Sequence, residues 1–245
     1  MTAALAAIWR HPIKGIGREA LGRVDLAAGA PLPGDRAWAL LHDGAAHGGD
    51  GWQPRRNFLV VASGPALAPV ACRTEGRRLT LSHPDLPDLT LDPTTGGAAL
   101  TRWVAPLWPA DRPAPTRLVA APPEGMADNG AAQVSILGRA TLRALSERAG
   151  RPLSEDRFRA NLVLDGLPPW GEFDWVGRDI AIGPVRLRVT ERIERCRATE
   201  ASPETGRRDA DTLRALRDGW GHQDVGVYAT VLTDGAVAVG DPVTE

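Results

Sequence analysis

Lysine is almost absent from this chain: of its 29 basic residues, 28 are arginine and one, Lys14, is lysine. Schiff-base chemistry with pyridoxal phosphate would have to run through Lys14, and no acidic and arginine partner set surrounds it in sequence, which argues against that class. Only two cysteines occur, Cys72 and Cys196. Two are too few for a disulfide framework, a cysteine-rich zinc site or an iron–sulfur cluster. Unpaired, they fit a reducing compartment, so a cytoplasmic location is expected. No apolar run approaches the roughly 18 residues of a membrane-spanning helix. The mildly apolar start Met1–Arg10 lacks the basic leader and cleavage site of a signal peptide. A net charge of −1 and a pI near 6.5 give no bulk attraction for nucleic acid or an anionic membrane. Tyrosine occurs once, at Tyr228.

What is present is an ordinary globular composition, 43% hydrophobic and 24% charged over 245 residues, enough for one large or two small domains. Twenty-seven glycines and 21 prolines punctuate short apolar runs, the pattern of many short strands rather than of a helical bundle. Strands are expected at 5–9, 22–26, 37–41, 58–62, 70–74, 78–81, 88–91, 117–120, 133–137, 161–164, 179–182, 185–191, 228–232 and 236–239. Two helices are expected. Ala140–Ala149 carries Leu142, Leu145 and Ala149 on one face and ends at Gly150; Asp211–Asp218 is acidic at its start and ends at Gly219. The proline-rich stretch 105–115 reads as a loop or crossover. A boundary near residues 115–125 separates a strand-rich part, 1–120, from a part holding both helices, 121–245.

Cys196 lies in the run Arg195-Cys196-Arg197-Ala198-Thr199-Glu200-Ala201-Ser202-Pro203-Glu204-Thr205-Gly206. Guanidinium groups on both sides favour thiolate over thiol, and a thiolate is a nucleophile or a soft metal ligand. Pro203 and Thr205-Gly206 mark a following turn. The alternative is a small buried hydrophobe on a strand. Cys72 falls on an expected strand and reads as structural.

Lys14 stands in Arg10-His11-Pro12-Ile13-Lys14-Gly15, where Pro12 forces an extended or turning backbone and Gly15 permits positive φ. A lysine there holds an anion as a point charge, or sits exposed in a solvated hairpin. In Gly34-Asp35-Arg36-Ala37-Trp38, Arg36 is expected to enter a strand with Trp38 on the same face and present its fork to a phosphate; the alternative is a surface pair with Asp35. Arg157-Phe158-Arg159-Ala160-Asn161 puts Arg157, Arg159 and Asn161 on one face by period two, with the strand starting near Asn161. Trp52–Val60 is a basic loop ahead of an expected strand, and Asp128-Asn129-Gly130-Ala131-Ala132 is a loop ahead of the first helix. Tyr228 either faces a site or caps a strand. Drawn together, Lys14, Arg36, Arg159 and Arg195 form an anion-binding pocket beside a thiolate.

The cysteine run, Arg-Cys-x-x-Thr-x-x-x-Pro-x-Thr-Gly, resembles the MOSC domain, named for the C-terminal region of molybdenum cofactor sulfurase. The Lys14 and Arg36 segments resemble the Tyr-Pro-Ile-Lys-Ser and Asp-Arg-x-Trp signatures of the group that holds the mitochondrial amidoxime-reducing component and its bacterial relatives. Arg157–Asn161 resembles Arg-Phe-Arg-Pro-Asn, Val225–Tyr228 resembles Phe-Gly-x-Tyr, and Gly240–Val243 matches a closing structural turn. The chain departs from these patterns with His11 for Tyr, Gly15 for Ser and Ala160 for Pro. The resemblance runs from Ile8 to Val243. It implies a mainly β (α+β) fold: an N-terminal β-barrel-like domain, then a distorted MOSC β-barrel with peripheral helices. It implies a molybdenum–molybdopterin cofactor, with Cys196 ligating molybdenum and Tyr228 beside the metal. Lys14, Gly15, Arg36, Asp128, Ala131, Ala132, Arg159, Asn161 and Arg195 are then implied around the pterin and its phosphate. The implied activity is reduction of N-hydroxylated compounds such as amidoximes and N-hydroxylated bases. Electrons would come from a separate reductase or ferredoxin-like protein, with no nucleic-acid or membrane partner. Two other readings stand beside it: a sulfur carrier or transferase acting through Cys196, and a non-catalytic carrier of the cofactor.

Overall fold

The computed structural model describes residues 3–46 and 51–245. As expected, strands dominate and helices lie at the edges. The largest sheet has eight strands in the order Val243–Thr244, Asp179–Ile182, Val185–Glu194, Asp224–Val231, Val134–Gly138, Leu162–Asp165, Ala4–Arg10 and Glu19–Leu21. Its centre follows from strict alternation: Val185, Leu187 and Val189 are buried while Arg186 and Arg188 face out. Val227, Ala229 and Val231 on the neighbouring strand pack into the same core, with Leu5, Ile8, Leu162 and Leu164. The chain thus crosses the expected boundary near residue 120, because Ala4–Arg10 pairs antiparallel with Leu162–Asp165.

Residues between these strands build a second core. Ala71–Glu75, Arg78–His83 and Leu86–Leu91 form a meander, and Trp38–His42 pairs with Pro115–Ala120. Ile13, Ile16, Leu40, Leu59, Leu81 and Leu100 are buried among them. Arg23–Leu26 pairs with Gly235–Ala238.

Among the described residues three α-helices flank the sheets: α1 (Gly97–Val104), α2 (Arg139–Ala149) and α3 (Thr212–Trp220). Helix α2 lies where expected, burying Leu142 and Leu145 and closing at Gly150 in the left-handed conformation. Helix α3 is capped by the Asp211 carboxylate, which accepts from Arg214 N at 3.1 Å. It runs past Gly219, the expected stop, and closes at Gly221, φ 75°. Helix α1 was not expected; Leu100 and Val104, one turn apart, bury it against the second core.

One expected strand is not formed. Residues 58–62 make a single bridge, Leu41 to Phe58, and then turn, with Ser63 and Gly64 N donating to Val60 O at 2.9 Å. Where pairing stops, the backbone of Gly15 runs against Leu59 and Val60. A Cβ at Gly15 would lie 2.5 Å from Leu59 O. This irregular stretch forms one wall of the site.

Candidate functional site

Arg195 and Cys196 emerge from the end of strand Val185–Glu194. That strand shifts register twice against Asp224–Val231, between Val189 and Glu191 and between Arg192 and Glu194. Such bulges re-aim side chains at strand ends. Cys196 is therefore not a strand residue. It precedes the 3-10 turn Arg197–Glu200, where Thr199 donates to Cys196 O through N and Oγ1, both at 3.2 Å. Cys196 is half-buried and lines a cavity of about 150 Å³.

The same cavity is lined by Lys14, Gly15, Arg36, Asp128, Arg159, Arg195 and Tyr228. A recess of about 30 Å³ adjoins it, sharing Arg36, Arg159, Arg195 and Tyr228 and reaching Asn161. Ala131 and Ala132 line neither space; their loop turns on itself, with Ala131 N donating to Asn129 Oδ1 at 3.3 Å.

The cations are held differently. Lys14 is 3% exposed, not an open hairpin lysine. Its ammonium donates to Met126 O at 2.6 Å and to the Asp128 carboxylate, leaving one of three N–H groups for the cavity. Burial lowers its pKa despite Asp128. Arg36 does not enter a strand: it sits at φ 48°, two residues before strand Trp38–His42. Its pair with Asp35 is buried rather than superficial. Burial disfavours the charge on Arg36, but Asp35 outweighs it and the pKa rises. Asp35 is itself fixed by His11, whose backbone N–H donates at 2.7 Å and whose ring Nδ1 lies at 3.3 Å.

Arg159 and Arg195 have no such partner. Arg159 follows the 3-10 turn Glu155–Phe158 at φ 48°, so the expected period-two face with Arg157 does not exist. It donates to Ile13 O at 3.5 Å, and burial, then the charge of Arg36, push its pKa down to about 9. Arg195 donates to Val225 O at 2.8 Å and Phe158 O at 2.7 Å. Its Nη2 is buried and has no partner, and burial pushes its pKa down to about 10. Neither makes an ion pair with a carboxylate among the described residues. A buried guanidinium without a counter-charge is costly unless an anion completes it.

Asn161 is structural support. Its Oδ1 accepts from Ser135 N and Oγ at 3.1 and 2.9 Å, and its Nδ2 donates to Trp9 O at 3.2 Å, joining three strands behind Arg159. Tyr228 lies mid-strand opposite Glu191 and Ser135, and burial raises its pKa.

Residues 93–244 match the family model of the MOSC domain, and residues 2–114 that of the MOSC N-terminal beta barrel domain. The chain belongs to the MOSC domain family. Human mitochondrial amidoxime-reducing component 1 is 23% identical to this MOSC chain over 288 residues, covering 98% of the chain and 82% of the human protein. The molybdenum cofactor sulfurase of Drosophila willistoni is 35% identical over 106 residues, 42% of the chain; the match spans only 13% of that sulfurase. A crystal structure of the YuaD protein from Bacillus subtilis aligns over 99% of this chain and 94% of its own, at 14% identity and a TM-score of 0.47.

The donor set of this MOSC chain suits an anionic cofactor that brings its own metal ligands. Among the described residues no three His, Cys, Asp or Glu side chains cluster to hold a metal ion; a metal at Cys196 would need ligands that a cofactor brings with it. Arg195 Nη2 has no partner and Arg159 no carboxylate, and guanidinium forks suit phosphate oxygens. The enclosed volume of about 150 Å³ is below the roughly 300–1,000 Å³ of complete small-molecule sites, room for one end of a larger ligand. Sequence reasoning missed two supports. The His11–Asp35 pair leaves no local signal across 24 residues, and Arg157, which also lines the cavity, was expected to share a face with Arg159 and Asn161 but forks onto Asp209 at 2.7 and 3.0 Å. Arg55, on the loop read only as basic, lines the cavity and faces Asp128 at 3.6 Å. Among the described residues no helix is long and apolar enough to cross a membrane.

Proposed function

We propose that the protein binds the molybdenum cofactor, with the Cys196 thiolate as its protein ligand to the metal, and reduces N-hydroxylated small molecules. The observation that carries this reading is the meeting of one half-buried thiol with two guanidinium groups that no carboxylate neutralises. When bound, the cofactor would supply a two-electron redox couple. The chain's own part is to bind, orient and enclose. Arg159 and Arg195 Nη2 hold the phosphate, Arg36 adds positive potential from behind, and Asp128 keeps the Lys14 ammonium fixed at the rim. Tyr228, its hydroxyl kept protonated by burial, is placed to donate a hydrogen bond at the reacting end.

In this reading the cavity draws on both parts expected from the sequence, 1–120 and 121–245. The first contributes Lys14, Gly15, Arg36 and Arg55, the second Arg159, Arg195 and Cys196. The protein works in the cytoplasm and takes electrons from a separate reductase or ferredoxin-like partner. The human relative named as an amidoxime-reducing component supports reduction; the sulfurase relatives support the rival reading of sulfur transfer through Cys196.

The test is metal analysis with release of the fluorescent pterin oxidation product, on protein made in a host competent for the cofactor, wild type beside Cys196→Ala. Near-stoichiometric molybdenum and pterin, with reduction of benzamidoxime by artificial electron donors lost in the variant, is expected. Wild-type protein lacking both metal and pterin, where a control molybdoenzyme loads normally, would overturn the reading. A persulfide on Cys196 would then favour sulfur transfer.

A further inference from the structure

A groove of about 580 Å³ adjoins the Cys196 cavity and shares Arg55, Val60 and Ala62 with it. Unlike the cavity, it lies within the size range of small-molecule sites, roughly 300–1,000 Å³. Two buried rings, Phe58 and Trp108, form its floor. The indole packs directly on Gly64, where an added Cβ would lie 2.5 Å from the ring. The rim is cationic: Arg55, Arg56 and Arg112 line it, with His42, and among the described residues no aspartate or glutamate does. Arg55 shares Asp128 with Lys14, whereas Arg56 and Arg112 make no ion pair among the described residues.

At Ala62 the groove meets the cavity that Cys196 lines. Arg208 donates through Nη2 to Ala62 O at 2.7 Å and through Nη1 to Arg197 O at 2.6 Å. It therefore ties the shared rim to the residue after Cys196. A cleft lined by charge of one sign raises the local concentration of oppositely charged ligands, and arginine forks match carboxylate and phosphate oxygens. An aromatic floor under cationic walls selects a flat ligand with an anionic substituent.

We propose that this groove is the substrate-selecting arm of the site, and that it takes planar aromatic compounds bearing an anionic group. The anion lies against Arg56 and Arg112, and the N-hydroxylated end points past Ala62 to Cys196. The chemistry at that end rests on the reductase reading above; the selection of an anionic arm does not.

The test is isothermal titration of cofactor-loaded protein with 4-carboxybenzamidoxime and with neutral benzamidoxime at low salt. The carboxylated compound is expected to bind about tenfold more tightly, with the gap shrinking as salt rises. In the double variant Arg56→Gln/Arg112→Gln the ratio falls toward one, and in Arg56→Lys/Arg112→Lys it is largely restored; both sites are exposed, so the fold tolerates the changes. Equal affinities in the wild type, no binding of either compound, or a gap that persists in the glutamine variant would each overturn the proposal. Arginine-dependent binding of the carboxylated compound, with neither compound reduced by loaded enzyme and an artificial donor, would leave the groove standing and remove the reductase reading.

Discussion

Arg36 and Arg159 adopt the same left-handed backbone, φ 48° at each, and the guanidinium of the first donates to the carbonyl of the second at 3.1 Å. Non-glycine residues with positive φ are uncommon, and such strain collects at functional sites. The first turn is pinned from outside and the second closes on itself. Arg36 N donates to His11 O at 2.7 Å, and Arg159 N to Asp156 O at 3.3 Å. The backbone, not only the rotamer, aims two cations into one cavity.

Arg159→Gly separates that backbone from its charge. Glycine accepts φ 48° without penalty, and the substitution also removes a buried charge repelled by Arg36. Stability is expected to hold or rise by about 1 kcal/mol, while pterin and molybdenum retention fall about tenfold or more. Arg159→Ala, which keeps the strained turn, is expected to retain as little cofactor and to melt lower than the glycine variant. Full cofactor retention by both variants would remove Arg159 from the binding set.

Gly15 is held by backbone on both sides. At φ +74°, a Cβ there would meet Leu59 O at 2.5 Å and Val60 Cα at 2.8 Å. Gly15→Ser, which restores the serine of the signature this segment resembles, is expected to destabilise the protein by about 2 kcal/mol or more in urea unfolding. A loss below about 0.5 kcal/mol would show that residues 58–62 yield readily.

The legible parts of the sequence were those where one short-range rule decided the outcome. Alternation in Val185–Glu191 fixed a strand and its buried face, and the apolar spacing of Leu142 and Leu145 fixed helix α2 to within one residue. Lys14, Arg36, Arg159, Arg195 and Cys196 converge because each sits at a turn or strand end opening on one cavity, which Tyr228 joins from mid-strand. The apolar run at 58–62 misled because its pairing ends against Gly15, more than forty residues away in sequence. The turns at Arg36 and Arg159 were illegible because arginine has no left-handed preference. Whether Lys14 would be buried depended on Asp128 and Met126, more than a hundred residues downstream.

His11 gives the fold an acid limit. Burial, then the charge of Arg159, push its pKa down to about 3, against the bond to Asp35. Asp35 is held well below the carboxylate range by Arg36 and His11 despite its own burial, so Nδ1–H of neutral His11 donates to an ionised carboxylate. The unfolded chain takes up a proton near pH 6.5 that the folded chain refuses. Stability is therefore present above about pH 6.5 and lost as pH falls toward about 3, by up to ~1.4 kcal/mol per pH unit. The depressed pKa of Asp35 adds a loss of the same sign below about pH 4. Urea titrations from pH 7 to pH 4 should show this slope in the wild type and a flatter one in His11→Asn, most clearly between pH 6 and 5. Parallel slopes would mean that His11 is protonated in the folded protein.

Cys72 and Cys196 should differ sharply toward an alkylating agent. Cys72 is 8% exposed on strand Ala71–Glu75. Burial, then the charge of Glu19, push its thiol up to about 12, so at pH 8 only about one part in ten thousand is the reactive thiolate. Cys196 is half-buried on the cavity wall. Iodoacetamide followed by peptide mapping is expected to label Cys196 in cofactor-free protein and to leave Cys72 unmodified until the chain is unfolded. Protein loaded with the cofactor should then protect Cys196 by about tenfold or more, because coordination draws charge from the sulfur and shields it. Equal labelling of Cys196 in loaded and cofactor-free protein would exclude it as a metal ligand, and early labelling of Cys72 would show that the second core opens under native conditions.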